Sequence, residues 1–382
     1  MAAGSGNQNR IFIAAGGTGG HIFPALAVMD ELVKLHPDLL ATWFGSTHRM
    51  ESDLIPARKI DFVGLKTTEF RRKPTLSNIF YNIRSLWYLA GSIFSSIGQV
   101  RKLNPGVVLT TGGFAAGAMG LASWFTRTPL VIIEPNAYPG MTNRWLGKRA
   151  ALVFTAYDKA AKFFPKGRTF IVGTPARSDL ITKSRAESRS ELGLSDDTVF
   201  IVATGGSQGA SGINSNLPES IVLLLNMSPV LKLKVLHQCG KGKQASVRVD
   251  DTRFPRENYV VVEFIDNIPL ILAAADIVVC RAGASTLTEV AVRGLPAVII
   301  PYAQSAENHQ VKNARTWESE GAGYCIEEKD LTPESLAEKL SILISDEKKR
   351  KQLGESARKF GNPDSAVVIA QKLSELLKNR VS

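Results

Sequence analysis

Two stretches of this chain place glycines and hydroxyls where a strand hands over to a helix. In the first, IFIAAGGTGG (residues 11–20), Gly16, Gly17, Gly19 and Gly20 follow an apolar run, and His21 stands where a helical pattern opens. A turn of this kind leaves backbone N–H groups and the positive end of a helix dipole facing outward from the strand end, where an anion or a polarised oxygen is at home. In the second, FIVATGGSQG (residues 200–209), Gly205, Gly206 and Gly209 surround Ser207. One such turn is equally well explained by glycine's freedom to make a tight bend. Two of them, one opening each half of the chain, point to a ligand. Neither is a familiar fingerprint: the first lacks the third glycine of G-x-G-x-x-G, and the second has no GK[ST]. The second strand, ATWFGS, does not end in the acidic residue that holds an NAD ribose. Dehydrogenase and P-loop kinase chemistry are thereby disfavoured.

The segment DIVVCRAGASTLTE adds a carboxylate. A strand ends at Cys280, a loop of small residues (Gly283, Ala284, Ser285) leads into a helix, and Glu289 falls one turn inside it. A carboxylate there accepts both hydroxyls of a ribose, while an isolated helix glutamate is more often simply exposed; the close backbone approach that the small residues allow favours the ligand. Arg177 follows the turn at residues 173–175 and is placed to face a diphosphate, or else is a surface arginine. There is no D-x-D pair and no cysteine or histidine cluster with metal spacing. No metal and no other cofactor is therefore expected, and amide dipoles, Arg177 and hydroxyls are left to neutralise a leaving diphosphate.

These residues need a scaffold that presents strand ends. Short β-branched runs (RIFIAAG, ATWFGS, DFVGL, GVVLTTGG, PLVIIEPN, ALVFTA) alternate with helical patterns such as ALAVMDELVKL. That alternation predicts an α/β fold with a parallel sheet wrapped by helices. After a polar stretch the pattern restarts with TVFIVATGG, KVLHQCG, YVVVEFI, DIVVCRAG and PAVIIPY. Each half reads as a Rossmann-type unit, with an N-terminal domain over residues 1–176 and a C-terminal domain over 177–361. The closing segment 362–382 has helical periodicity. Periodicity alone leaves open which domain it joins, and the expected one is the N-terminal. At 382 residues the chain exceeds one ordinary core.

Cys239, Cys280 and Cys325 form no CxxC pair and are expected to be buried fillers in a reducing compartment. The first ten residues lack the apolar stretch of a signal peptide, and no run approaches a membrane span, so a cytoplasmic location is expected. A formal net charge of +11 suits nucleic acid, anionic lipid or a phosphorylated substrate. No RNP, helix-turn-helix or zinc-finger pattern supports nucleic acid.

Taken in order, GGTGGHIFPA (16–25), RMESDLIP (49–56), EPNAYPGMTN (134–143), GGSQGAS (205–211), EFIDNI (263–268), CRAGASTLTE (280–289) and ENHQVKNA (307–314) closely resemble the MurG family of peptidoglycan N-acetylglucosaminyltransferases, over nearly the whole chain. The resemblance implies a GT-B fold, two Rossmann-like parallel-sheet domains facing across a cleft. It implies transfer of GlcNAc from UDP-GlcNAc, held by the C-terminal domain, to the C4 hydroxyl of the MurNAc of lipid I, with inversion and without metal. Lipid II and UDP would be the products. The implied partners are UDP-GlcNAc, lipid I, an anionic membrane surface and other proteins of cell-wall synthesis or division. The implied place is the cytoplasmic face of the bacterial inner membrane. By motif, Glu289 would bind the ribose, Ser207 and Arg177 the diphosphate, and Ile265 the uracil. Thr18, Gly19, Gly20, Asn136, Ala284, Ser285, Thr286, Gln310 and Asn313 would lie around the donor. Where some members read Gln-Gln, this chain has His309 and Gln310 in a loop one residue longer, which puts the first of those contacts in question.

Inversion needs a base for the attacking hydroxyl, and His21 is the candidate, because a histidine with an ordinary pKa of about 6.5 is largely neutral near pH 7. The alternative is that His21 caps the turn and orients substrate. The segment RRKPTLSNIFYNIRSLWYLAGSIF puts Leu76, Ile79, Phe80, Ile83, Leu86 and Trp87 on one helical stripe beside Arg71, Arg72, Lys73 and Arg84. Most such stripes face a core. The lipid-linked acceptor that the resemblance implies favours an interfacial helix instead, with Trp124, Lys148 and Arg149 in the same patch. Competing readings are another GT-B transferase, a UDP-sugar epimerase, or a nucleotide-sugar sensor that binds without turnover.

Overall fold

The computed structural model describes residues 9–66, 75–250 and 252–378. It divides into two compact units, Met1–Pro175 with Asp364–Ser382, and Ala176–Pro363. In the first, β1 (Arg10–Ala15), β2 (Leu40–Ser46), β3 (Asp61–Leu65), β4 (Val107–Gly112), β5 (Leu130–Glu134), β6 (Leu152–Thr155) and β7 (Thr169–Ile171) form one parallel sheet in the order β3-β2-β1-β4-β5-β6-β7. Strands β1, β4 and β5 are buried almost end to end because helices cover both faces, which is why they read as unbroken apolar runs. Their side chains alternate between two cores. Ile11, Ile13 and Ala15 face the helix Gly19–Leu35, whereas Phe12 and Ala14 face the helix Phe114–Thr126.

The helix Ser365–Lys378 belongs to this first unit. Ile369, Ala370, Leu373 and Leu377 recur at helical spacing and join the core formed by the helix Gly19–Leu35. Burying each of the larger three contributes about 1.5–3 kcal/mol. Ser365 Oγ donates to the Thr174 carbonyl at 3.0 Å, and His36 Nε2 meets Ser374 Oγ at 2.7 Å, so polar contacts register the same helix.

In the second unit, β8 (Val199–Thr204), β9 (Leu233–Gln238), β10 (Tyr259–Val262), β11 (Ile277–Cys280), β12 (Ala297–Ile299) and β13 (Gly323–Cys325) form a parallel sheet in the order β10-β9-β8-β11-β12-β13. Strand β13 is an addition to the sequence reading; three residues containing a glycine carry too little pattern to be seen. It is an edge strand, and this corrects the expectation that all three cysteines are buried: Cys239 and Cys280 are, but Cys325 is half-exposed on that edge.

In both sheets the chain reverses direction of growth beside its first strand, between β1 and β4 and again between β8 and β11. In open α/β sheets the C-terminal ends of the strands at such a reversal are the usual ligand position.

The long helix Leu76–Leu103 starts at the Thr75 cap, whose hydroxyl accepts from Asn78 N at 3.3 Å, and stops at Asn104 in the left-handed region. It carries large apolar side chains on its outer face as well as its inner one. Ser85, Ser92, Ser96 and Val100 are buried, while Phe80 is 72% and Trp87 76% exposed, with Ile79, Ile83, Leu86 and Phe94 also exposed. Leu89, Ile93, Ile97, Val100 and Leu103 pack into the core shared with the helix Phe114–Thr126, and a second apolar stripe, Ile79, Phe80, Ile83, Leu86, Trp87 and Phe94, is left outside. Arg71, Arg72 and Lys73 lie outside the described residues, as does the side chain of Leu76.

Candidate functional site

At the first switch point the glycine turn is held from beneath by a residue to which sequence reasoning gave no role. Glu51, fully buried, accepts from Gly17 N with both carboxylate oxygens at 3.2 Å and from Ser46 N at 2.9 Å. A Cβ on Gly16 would stand 2.3 Å from its Oε1, and one on Gly45 2.5 Å from its Cγ, so both glycines are required by this side chain. The expectation that the turn's amides are free for a ligand is corrected at Gly17, whose N–H is already spent on Glu51. Thr18 is the cap residue of the helix Gly19–Leu35, and its carbonyl accepts from His21 N and Ile22 N.

His21 is seated by the end of β4. Thr111 Oγ1 donates to the His21 carbonyl at 2.8 Å, and a Cβ on Gly112 would stand 2.8 Å from the imidazole Cε1. The next residue, Gly113, would collide with the Gly16 carbonyl at 2.8 Å; both glycines have positive φ, +121° and +87°. A register shift between Ala14 and Ala15 on β1 marks the same place. This second glycine pair was legible in the sequence as TTGG after a strand.

Asn136 belongs to a loop organised by Glu134, the last residue of β5. One Glu134 oxygen accepts from Asn136 N and Asn136 Nδ2, each at 3.0 Å; the other accepts from Asn143 Nδ2 at 2.9 Å and Gly140 N at 3.2 Å. Burial pushes its carboxyl up to about 7, against the pull of those N–H donors. A charged residue closing an otherwise apolar strand was the signal that could have singled it out.

At the second switch point, Gly205 and its neighbours turn from β8 into the helix Ser211–Met227, with Gly206 and Gly209 at φ +75° and +67°. Gly206 N donates to Thr204 Oγ1 at 3.1 Å, and Ser207 is exposed at the tip. The helix Ala284–Arg293 begins just past β11 and ends at Gly294, where the Arg358 side chain fills the space a Cβ would need. Ala284 is buried at its start, Ser285 and Thr286 are half-buried, and Glu289 is half-buried one turn further in.

Burial raises the Glu289 carboxyl to about 7; Arg177 pulls it down and Asp179 pushes it up. Arg177 is exposed, and one guanidinium nitrogen is already paired with Asp179 Oδ2 at 2.5 Å. Ile265 is buried, and its N–H donates to Gln238 Oε1 at 3.2 Å.

The loop after β12 closes the same end of the sheet. Gln310 Oε1 accepts from Tyr302 N at 3.0 Å, and Asn313, 1% exposed, donates from Nδ2 to the Ala282 carbonyl at 3.2 Å. Before them Glu307 and Asn308 both take left-handed backbone conformations, φ +48° and +59°. Arg281 anchors this region through Glu328 Oε1 at 2.6 Å and the Ile300 carbonyl at 3.1 Å. Thus Ser207, Ile265, Ala284, Ser285, Thr286, Glu289, Gln310 and Asn313 gather at one end of the second sheet, and Thr18, Gly19, Gly20, His21 and Asn136 at one end of the first.

Two Rossmann-like parallel-sheet units, each with a glycine turn at its switch point, make up the fold of the GT-B glycosyltransferases. The glycosyltransferase family 28 N-terminal domain matches residues 11–155, and the family's C-terminal domain matches residues 199–369. The chain is 35% identical to the UDP-N-acetylglucosamine--N-acetylmuramyl-(pentapeptide) pyrophosphoryl-undecaprenol N-acetylglucosamine transferase of Shewanella loihica, over 95% of this chain and 96% of that one. It is 33% identical to the transferase of the same name from Flavobacterium psychrophilum, over 98% and 100%. The crystal structure of MurG from Acinetobacter baumannii superposes with a TM-score of 0.76 at 27% identity, covering 96% of this chain and 99% of that one. The chain belongs to the MurG family within glycosyltransferase family 28.

Proposed function

We propose that this enzyme transfers GlcNAc from UDP-GlcNAc to the C4 hydroxyl of the MurNAc of lipid I, releasing UDP and forming the β-linked disaccharide of lipid II. The observation that carries this reading is the pairing of Glu289 with a glycine turn at the second switch point, in a chain whose full-length relatives bear that activity in their names. The donor lies on the second unit. Glu289 accepts the ribose hydroxyls, Ile265 lies at the uracil, and the amides around Ser207 with Arg177 face the diphosphate. Ala284, Ser285, Thr286, Gln310 and Asn313 line the donor, and Thr18, Gly19, Gly20 and Asn136 complete the set of donor residues.

The acceptor oxygen attacks the anomeric carbon from the face opposite UDP. Its proton passes to His21, the C1–O bond to UDP breaks, and the charge that grows on the diphosphate meets the turn's amide dipoles and Arg177. Nothing in this scheme requires a divalent ion, and the chain has no D-x-D pair to hold one.

The acceptor is lipid-linked, so the enzyme works at a membrane surface. Among the described residues no helix is long and apolar enough to cross a membrane. The exposed stripe of Ile79, Phe80, Ile83 and Trp87 supports peripheral attachment, with Arg71, Arg72 and Lys73 preceding it in sequence. Trp124, packed on Trp145 at 4.7 Å and under Arg149 at 5.1 Å, with Lys148 exposed beside it, offers a second amphipathic contact. A lipid-linked acceptor together with a nucleotide-sugar donor favours the cytoplasmic face of the inner membrane, with other cell-wall synthesis or division proteins as further partners.

The test is UDP release from UDP-GlcNAc, with and without a soluble lipid I analogue and with EDTA present. Release that depends on the analogue and yields a disaccharide is expected. Binding without release would favour a sensor, and an isomerised sugar nucleotide an epimerase.

A further inference from the structure

One buried side chain in the second unit touches both loops assigned to the donor. Gln238 ends β9, which lies between β8 and β10 in the sheet, and it is 4% exposed. Its Nε2 donates to the Gly206 carbonyl at 2.9 Å, and its Oε1 accepts from Ile265 N at 3.2 Å. The segment that follows is wedged between the same two loops. A Cβ on Gly209 would stand 1.8 Å from the Cys239 carbonyl oxygen, and one on Gly240 2.6 Å from the Gln208 backbone. Lys243 Nζ donates to the Gln208 carbonyl at 2.7 Å, and Gly242 N donates to Glu263 Oε1 at 2.9 Å.

A trans peptide is planar, with its C=O and N–H pointing in opposite directions. By capturing the Gly206 carbonyl, Gln238 aims the Ser207 N–H of the same peptide away from itself. By capturing the Ile265 N–H, it turns the Phe264 carbonyl of that peptide the other way. Gly206, at φ +75°, has no side chain to restrict this peptide, so the hydrogen bond supplies the restriction.

We propose that Gln238 is a positioning residue for the donor: it fixes the glycine turn and the 264–265 peptide at one spacing, so that diphosphate and base are bound as a matched pair. The inference rests on the donor reading above. It assigns the Ser207 N–H to the diphosphate and the Phe264 carbonyl to a base N–H. A carbonyl accepts from uracil N3–H but opposes the lone pair of cytosine N3, so the same device makes the site discriminate uracil from cytosine.

The experiment measures dissociation constants for UDP and CDP, with melting temperatures, on full-length wild type, Q238M and Q238E. Methionine matches the side-chain length without either hydrogen bond. Its UDP dissociation constant is expected to rise about tenfold, and the UDP preference over CDP to fall toward one, while kcat at saturating donor changes by less than about threefold. In Q238E one oxygen still accepts from Ile265, but the other opposes the Gly206 carbonyl, so UDP binding weakens while the preference over CDP stays. If Q238M does not fold, Q238E decides alone. Unchanged UDP affinity in a folded variant, or equal loss for UDP and CDP in Q238M, overturns the proposal and leaves Gln238 a structural residue. Wild type that binds neither nucleotide refutes the donor reading itself, a result distinct from either of these.

Discussion

Lowering the pH from 8 to 6 is expected to weaken binding of UDP-GlcNAc about tenfold, because Glu289 must be ionised to accept two ribose hydroxyls. Burial has raised its carboxyl to about 7. About nine tenths of it is then ionised at pH 8 and about one tenth at pH 6. Binding favours the ionised form, so affinity climbs with pH through about 7 and levels off above about 8. The sugar nucleotide is the right probe, since its diphosphate is esterified at both ends, whereas the terminal phosphate of UDP has its own ionisation near 6 and would add a slope. Calorimetry from pH 5.5 to 8.5 gives the profile. E289Q should bind more weakly and lose the slope. R177A removes the main charge pulling the carboxyl down, so its midpoint should move up. A flat wild-type profile, or a slope retained in E289Q, would refute the ribose role.

Three further outcomes can be measured directly. H21A should lower kcat by about 10²–10⁴ while donor KM shifts only a few-fold, since a base acts in the transition state; a near-normal rate would remove His21 from the mechanism. E51A leaves the N–H groups of Gly17 and Ser46 without their buried acceptor and opens a cavity, which should cost about 2–4 kcal/mol in chemical denaturation; a loss below about 1 kcal/mol would show that the turn holds itself. Replacing Phe80 and Trp87 with serine should reduce partitioning onto anionic vesicles by about tenfold or more without lowering the melting temperature, because both side chains are exposed; undiminished binding would place the membrane contact elsewhere.

Much of the architecture was legible because it depends on local pattern. Strands buried on both faces must be apolar throughout, so β1, β4, β5, β8 and β11 stood out as runs. The glycine turns were visible because few residues besides glycine adopt positive φ, and Glu289 because its helix follows a strand and a loop of small residues.

What the tertiary structure alone decided is which buried polar groups meet. Glu51 sits 34 residues from Gly17, Gln238 lies 32 from Gly206 and 27 from Ile265, and no period or spacing links such partners. Strand order brings them together, and a buried carboxylate or amide is tolerated only where donors and acceptors complete it. The helix Leu76–Leu103 makes the same point about apolar residues. Its stripe was readable, but whether the stripe faced a core or solvent depended on which side approached the helix Phe114–Thr126, and the side carrying Leu89, Ile93, Ile97 and Val100 took that place. Sequence by itself determined the elements and their glycine turns, because backbone conformation and side-chain periodicity are local; the roles of Glu51 and Gln238 were set by neighbours that only folding supplies.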